Sequence, residues 1–449
     1  MKNETTMQTS KMQQAVQTAL NDTTTSHSLL PNVHVNQINS AFHQRDRIIT
    51  NLLDNDFYKF NMMYAIFKKY LGTTVRAKFK VRNDEDLTAI MPEVKRQIDM
   101  LSQLSMDPTS LAQLRKKAPF YDDTFFEYLS DYRLHSERVS VTQTGKNNLE
   151  IEYYGSWIGY ILFEIYVMAI VSETRNMHRY PQATMEDCQR PLHKKIKWLK
   201  QMRKEGVIDE GFHFADFGTR RRFSTKVHEY VVETLKRELP EHFVGTSNVR
   251  LAAEHNLTAV GTQAHEWFQA HQQIGSRLRD SQKAALNAWV DVYRGELGIA
   301  LTDCINMKSF VEDFDLFFAK LFDGMRHDSG CPYLWAEMAI KAYEDHGIDP
   351  RTKTLIFSDG LDLEKAVAIY SKFKGRIQMS FGIGTFFTAD MAIEGFKAMN
   401  MVMKLVEVNE SPVAKLSDSP GKTMCEDESF IKYLKDTFNY REEDLLIAA

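Results

Sequence analysis

The sequence has no uninterrupted apolar run long enough to cross a bilayer. Its most apolar stretch, WIGYILFEIYVMAIV from Trp157 to Val171, carries Glu164 in its middle. The apolar runs on either side fall short of the ~20 residues that a spanning helix needs. The stretch therefore reads as a buried core helix, and no membrane association is expected. No apolar h-region follows Met1, so no secretory signal is expected either. Cysteine is scarce. The four, Cys188, Cys304, Cys331 and Cys425, lie far apart, and no pair has CxxC or other metal-ligand spacing. Free thiols in a reducing cytoplasm fit this better than secretion. An excess of one charge is also missing: Lys plus Arg is 56, Asp plus Glu is 60, and the formal net charge is −4. That balance gives no reason to expect a nucleic-acid partner, which usually calls for a basic excess or face. Any anionic ligand has to be held by local basic clusters. HExxH is absent too, which argues against a histidine-metal hydrolase.

What is present divides the 449 residues into three parts. Residues 1–45 are rich in Thr, Gln, Asn, Ser and His and poor in large apolar side chains. They read as a flexible extension whose ordering entropy burial cannot offset. No Arg precedes Arg45, which weakens a mitochondrial transit reading. The next stretch is mixed: a helical period over Leu52–Leu71, an alternating run TVRAKFKVR over Thr74–Arg82, more helix, and a second strand-like run ending at Gly155. From about residue 210, short apolar runs ending in Gly, Asp, Ser or Thr alternate with amphipathic segments such as VHEYVVETLKREL and LEKAVAIYSKF. Eight such runs can be picked out: 212–218, 242–247, 257–262, 297–303, 321–330, 354–360, 377–385 and 401–408. Strand–helix alternation predicts βα units and a parallel sheet. The fold class expected is α/β: an irregular (βα) barrel over 166–399, with a second α+β domain from 46–165 plus 400–449.

Barrels of this kind carry their chemistry on the loops after the strands, and here those loops hold the polar residues. DFGTRRRFS, from Asp216 to Ser224, follows one strand with an aromatic, a glycine and three arginines. The arginines are forked donors suited to carboxylate or phosphate, and Phe217 can offer a face to a flat ring. A solvated basic turn is the equal alternative, although three cations at a helix start oppose the macrodipole. RHDSG, Arg326 to Gly330, can bind a sugar diol and a phosphate. FSDG and SFGIGT each open from a strand into glycines and then a helix, an arrangement that presents backbone N–H groups to an anion. GTQAHEW places His265 after the run LTAV. A satisfied core histidine and a strand-end nucleophile are both open from this motif alone. The surrounding rim favours phosphoryl chemistry, with Asp303 the best group to orient the ring.

Taken together, DFGTRRRFS, GTSN, GTQAHEW, ALTD, RHDSG, FSDG and SFGIGT resemble the nicotinate phosphoribosyltransferase family in order and spacing. The resemblance runs from LLDNDFYKFNM to KLSDSPGK, about nine-tenths of the chain. It implies that nicotinate and 5-phosphoribosyl 1-diphosphate give nicotinate mononucleotide and diphosphate, the first step of NAD salvage from nicotinate. It also implies an ATP-dependent ligase with ATP and Mg²⁺ as cofactors, and a phosphohistidine at His265 with Asp303 holding the ring. Phe217 would stack on one face of the pyridine. Tyr58 would stack on the other from a partner subunit, in a homodimer with shared sites. Arg220 would lie near ring and pyrophosphate, and Arg326 near the ring's carboxylate or the phosphates. Asp328 would take the ribose hydroxyls, joined in ribose or phosphate binding by Ser329, Gly330, Asp359 and Thr385. Gly360, Gly382 and Gly384 would cradle the 5′-phosphate. Arg82, Lys415 and Lys422 would reach phosphates from the neighbouring subunit.

The related nicotinamide enzyme carries an aspartate in its equivalent of GTSN. Ser247 and Asn248 are neutral here, which favours the acid over the amide. The family usually has an acidic residue after RHDSG; this sequence has Cys331, which puts Mg²⁺ or diphosphate contacts there in question. Two other readings compete. A nicotinamide phosphoribosyltransferase would prefer the amide. A non-catalytic barrel that senses NAD precursors would bind without turnover.

Overall fold

The computed structural model describes residues 47–82, 85–144, 148–275, 277–419 and 422–447. The expected extension over residues 1–45 lies outside them.

Three strands come first: β1 (Thr74–Val81), β2 (Val139–Thr144) and β3 (Asn148–Ser156). Seven short strands follow: β4 (His213–Asp216), β5 (Phe243–Thr246), β6 (Thr258–Ala259), β7 (Ile299–Leu301), β8 (Gly324–His327), β9 (Thr354–Phe357) and β10 (Gln378–Ile383). Two more close the series, β11 (Met401–Val408) and β12 (Ser411–Pro412). The seven middle strands form one parallel sheet in the order β6-β5-β4-β10-β9-β8-β7. The others form an antiparallel sheet in the order β12-β11-β1-β3-β2.

The parallel sheet is the irregular α/β barrel the alternation predicts, built from seven of the eight candidate runs. The eighth, 401–408, pairs antiparallel with β1, Lys78 opposite Lys404. In the antiparallel sheet it lies between β12 and β1, pairing with both. The edge strands β6 and β7 do not pair with each other. Thr262 spans the gap between them, its hydroxyl donating to the Ile299 carbonyl at 2.7 Å.

Several helices start where the sequence offers a cap. Ser224 accepts from Val227 N–H at the head of Thr225–Glu238, and Asp362 accepts from Lys365 N–H at the head of Leu363–Phe373. The apolar stretch around Glu164 is indeed internal. It forms Trp157–Tyr160 and then Phe163–Arg179, and every side chain from Phe163 to Asn176 is buried. Glu164 is tolerated there because Lys59 meets it at 2.7 Å and Lys404 at 3.2 Å.

One buried ion pair ties the N-terminal segment to the parallel sheet. Arg222, fully enclosed, forks onto both oxygens of Asp54 at 2.8 Å. Asn248 Nδ2 donates to the same carboxylate at 2.7 Å. Burial alone would raise the Asp54 carboxyl, but Arg222 and Arg250 outweigh it and hold it well below the usual range. This clamp, with Phe57 N–H donating to the Ser247 carbonyl at 2.7 Å, fixes where the next residue, Tyr58, points its backbone.

Candidate active site

The C-terminal ends of the parallel strands meet at one cavity of about 440 Å³. The C-terminal ends of β8 and β10 and the loops after β4, β5, β6, β8, β9 and β10 all contribute to its lining, among them Phe217, Ser247, His265, Arg326, Gly360 and Gly382. A second compartment of about 430 Å³ continues from it and shares Arg220, Arg221, His265, Asp328 and Lys404.

His265 opens the helix His265–Ile274 and is 5% exposed. Its Nε2 lies 2.7 Å from Asp303 Oδ1. A carboxylate can only accept, so Nε2 carries the proton and Nδ1 keeps its lone pair. Burial would raise the Asp303 carboxyl; His265 and Lys415 outweigh that and hold it well below its usual range. Burial pushes the imidazole itself down to about 4, with Lys415 adding to the shift and Asp303 opposing it. The ring is therefore neutral near pH 7. Nδ1 lies on the cavity side, 3.8 Å from Asp328 Oδ2.

The aromatic end of the cavity has Tyr58 and Phe217. Two glycines let the rings in. A Cβ at Gly382 would stand 2.3 Å from the Phe217 ring. Gly261 has φ +146°, and a Cβ there would press on Tyr58 N at 2.9 Å. Tyr58 belongs to the same chain as this cavity, so the expectation that a partner subunit supplies it is corrected. The Asp54–Arg222 clamp and the backbone bond to Ser247 bring it home. Tyr58→Ala should raise KM for an aromatic substrate by about 2- to 10-fold, the worth of one ring contact, with kcat little changed. Steady-state kinetics checks this, and an unchanged KM would place the ring elsewhere.

The other end is cationic. Arg82, Lys415 and Lys422 line the second compartment from within the chain, where a neighbouring subunit was expected to provide them. Lys422 meets Asp359 at 2.8 Å, and Lys415 meets Asp303 at 3.0 Å. The three consecutive arginines divide: Arg222 faces inward to Asp54, while Arg220 and Arg221 line the cavity. Burial, then repulsion from Arg220, brings the Arg221 guanidinium down to about 10. The buried Nε of Arg326 has no hydrogen-bond partner among the described residues. Arg82, Arg220, Arg221, Lys404, Lys415 and Lys422 outnumber the lining carboxylates of Asp328 and Asp359 in this partly enclosed space, an excess that suits an anion. Gly360, Gly382, Gly384 and Thr385 line the same cavity, and Asp328 accepts from the Ser358 hydroxyl at 3.0 Å.

Three expected site residues face elsewhere. Ser329 is fully buried and hydrogen-bonded to Asp303. Gly330 packs against the C-terminal segment, where a Cβ would meet Leu446 at 2.9 Å. Asn248 caps the helix Val249–Glu254 and bonds Asp54, so its amide is not available to a ligand. Ser247 does line the cavity, but its hydroxyl donates to Asp56 at 2.7 Å. A buried carboxyl therefore stands beside the ring pocket, and the neutrality of Ser247 and Asn248 does not by itself explain a preference for an acid. Burial raises the Asp56 carboxyl, lessening its charge. Cys331 is not part of the lining; its N–H donates to the Leu446 carbonyl at 2.6 Å.

Asp56 and Lys404 are cavity residues that motif reasoning passed over, and Arg221 is one it grouped with its neighbours without a role of its own. Lys404 had a signal in the sequence: the lone acid Glu164 in an apolar run needs a cation, and Lys404 on β11 is one of those it holds. Asp56 had none, because nothing local distinguishes it from Asp54.

His265, Asp303 and Asp328 bring ligand-type atoms within 4.8 Å of one another. Nε2 of His265 carries a proton toward Asp303 and offers no lone pair, which leaves Nδ1, beside Asp328, as the imidazole's ligand atom. A hard cation such as Mg²⁺ prefers an octahedron of oxygens, mostly from water and phosphate. The trio is better suited to orienting an imidazole than to caging an ion.

A curled parallel sheet whose strand ends gather an aromatic slot, an anion pocket and a carboxylate-held histidine defines an α/β enzyme acting on a flat, anionic substrate. Comparison with known proteins is more specific. The model of the nicotinate phosphoribosyltransferase (NAPRTase) family matches residues 212–442, and that of its N-terminal domain matches residues 53–172. The chain is 51% identical to a nicotinate phosphoribosyltransferase of Ectopseudomonas mendocina, over 88% of this chain and 97% of that one. Nicotinate phosphoribosyltransferase 1 of Pseudomonas aeruginosa is 50% identical, over 88% and 98%. The crystal structure of nicotinate phosphoribosyltransferase from Vibrio cholerae superimposes with a TM-score of 0.86 at 40% identity, over 89% of this chain and 96% of that one. The chain belongs to the nicotinate phosphoribosyltransferase family.

Proposed function

We propose that the protein is an ATP-coupled nicotinate phosphoribosyltransferase that works through a phosphohistidine at His265. The single observation that carries this is the neutral, Asp303-held imidazole opening with its Nδ1 onto a cationic cavity beside an aromatic slot.

The pyridine lies between Tyr58 and Phe217. Its carboxylate turns toward Arg220 and Arg326 and away from Asp56. The ring nitrogen attacks C1 of 5-phosphoribosyl 1-diphosphate. The C1–oxygen bond breaks, diphosphate leaves, and nicotinate mononucleotide forms. Asp328 holds the ribose hydroxyls, and the backbone around Gly360, Gly382 and Gly384 takes the 5′-phosphate. Arg221, Lys404, Lys415 and Lys422 neutralise the diphosphate; Mg²⁺, when bound, would supply further positive charge there. In the coupling step Nδ1 attacks the γ-phosphorus of ATP and ADP leaves. Phosphorylation replaces a neutral group at the cavity wall by a dianionic one and changes how the diphosphate is held. Water then takes the phosphoryl group. Tyr58, Arg82, Lys415 and Lys422 reach this cavity from within the chain.

Initial rates with nicotinate and with nicotinamide test the substrate. Nicotinate should win by at least about 10-fold, since the amide leaves Arg220 and Arg326 without their counter-charge; nicotinamide winning would refute the assignment. The pH dependence follows from the ring. The reactive form is neutral, and its pKa lies at about 4. Phosphorylation from ATP should therefore stay level as pH falls through the ordinary histidine range and be lost only near about 4. A midpoint near the ordinary histidine value of about 6.5 would contradict the buried, neutral state.

A further inference from the structure

Ser329 stands where the motif RHDSG suggested a ribose or phosphate ligand, yet its side chain has a different occupation. It is fully buried and absent from the cavity lining. Its oxygen accepts the Asp418 backbone N–H at 3.1 Å, and its one proton goes to Asp303 Oδ2 at 2.6 Å. A backbone N–H is only a donor, so the hydroxyl is committed to the carboxylate. Lys415 Nζ meets the same Oδ2 at 3.0 Å. That leaves Oδ1 to His265 Nε2 at 2.7 Å.

We infer that Ser329 is a positioning residue: it locks the Asp303 carboxylate so that His265 keeps its Nε2–H inward and its Nδ1 toward the cavity.

The loop that carries Ser329 is itself braced. Both Asp418 oxygens accept the Met307 N–H, at 3.0 and 3.1 Å. Gly330 N–H donates to the Ser419 hydroxyl at 2.9 Å. The serine is thus anchored by a different strand of chain from the one bearing the histidine, and the anchor reaches the reacting nitrogen through a single carboxylate. Without the serine proton, Lys415 is the one donor left on Oδ2 among the described residues, and the carboxylate is free to rotate toward it. The ring then loses the acceptor that selects its tautomer, and a fraction of molecules presents N–H rather than a lone pair at Nδ1. Partners of this outer kind are commonly worth about 10- to 100-fold in activity.

The kinetic consequence rests on His265 as phosphate carrier; the tautomer does not. The test uses the full chain with ¹⁵N-labelled histidine, as wild type, Ser329→Ala and Ser329→Thr. Wild type and the threonine variant should show His265 as a single Nε2–H tautomer. The alanine variant should show a mixture, with kcat lowered about 10-fold and KM for both substrates within about 2-fold of wild type. A single tautomer and full kcat in the alanine variant would overturn the inference. So would a raised KM for 5-phosphoribosyl 1-diphosphate with kcat kept, which would make Ser329 a substrate contact. Should the alanine variant not fold, Ser329→Cys, nearly isosteric and a weaker donor, should shift tautomer and kcat in the same direction; no shift in either would overturn the inference. If His265→Ala keeps a phosphoryl label, the carrier assignment fails, while the tautomer comparison still decides the role of Ser329.

Discussion

His265→Ala should lose all stimulation by ATP and keep a slow, ATP-independent transfer of the phosphoribosyl group. The cavity that binds the ring and the sugar phosphate remains, because Tyr58, Phe217, Arg326 and the glycine backbone are held by other elements. What disappears is the nitrogen proposed to exchange a neutral wall for a charged one. A coupling between two ligands of one site is typically worth about 1–3 kcal/mol, so kcat/KM for 5-phosphoribosyl 1-diphosphate should fall by about 5- to 150-fold in the presence of ATP. In its absence, wild type and variant should be alike. Rates measured with and without ATP separate these terms. A variant still stimulated by ATP would take the coupling away from His265. Asp303→Asn should approach the same phenotype by another route, since an amide in that place can present N–H and reverse the tautomer.

Arg222→Ala should be the most destabilising change among the arginines of DFGTRRRFS. It leaves Asp54, only 2% exposed, with Asn248 as its close partner and Arg250 at 3.8 Å. Removing one member of a buried pair commonly costs about 3–5 kcal/mol, because the remaining charge stays desolvated. The clamp also holds Tyr58 in register, so a folded remnant should bind nicotinate poorly. Arg221→Ala next door should behave oppositely. No carboxylate makes an ion pair with Arg221 among the described residues, and its removal relieves repulsion from Arg220. Stability should change by no more than about 0.5 kcal/mol while affinity for the phosphorylated substrate drops. Denaturant midpoints and KM values for the two variants decide this. Equal destabilisation would mean that the three arginines are not divided between clamp and cavity.

These two neighbours show what the sequence could and could not tell. Period and punctuation were sufficient for the βα alternation, since each strand is a short apolar run ending in turn residues and several helices, Thr225–Glu238 and Leu363–Phe373 among them, have a side-chain cap in place. They were sufficient for the mouth as well, because in such a sheet the loops after the strands must converge. His265, Asp303, Phe217, Arg326 and the SFGIGT glycines were therefore legible. The direction of a side chain within a loop was not. Nothing in the letters TRRRF says that Arg222 turns inward while Arg221 turns out; that depends on Asp54, far upstream. Ser329 and Asn248 were misread for the same reason: each is a polar residue in a site motif whose hydrogen bonds go to the scaffold behind it. The eighth run, 401–408, has the apolar character of a barrel strand but finds its partner in β1, because the parallel sheet already ends at β6 and β7. The place of Tyr58 in its own chain's cavity is likewise a matter of tertiary contacts, among them the Phe57 N–H donating to the Ser247 carbonyl.

The central claim is that one nitrogen, Nδ1 of His265, is left free by Asp303 and aimed at the anion pocket. Incubation with γ-labelled ATP, followed by digestion at alkaline pH and phosphorus NMR of the labelled peptide, addresses it directly. The account predicts a single acid-labile phosphoryl group on the peptide containing GTQAHEW, attached at Nδ1. Label at Nε2, label on any other residue, or no label in an otherwise active protein would contradict it.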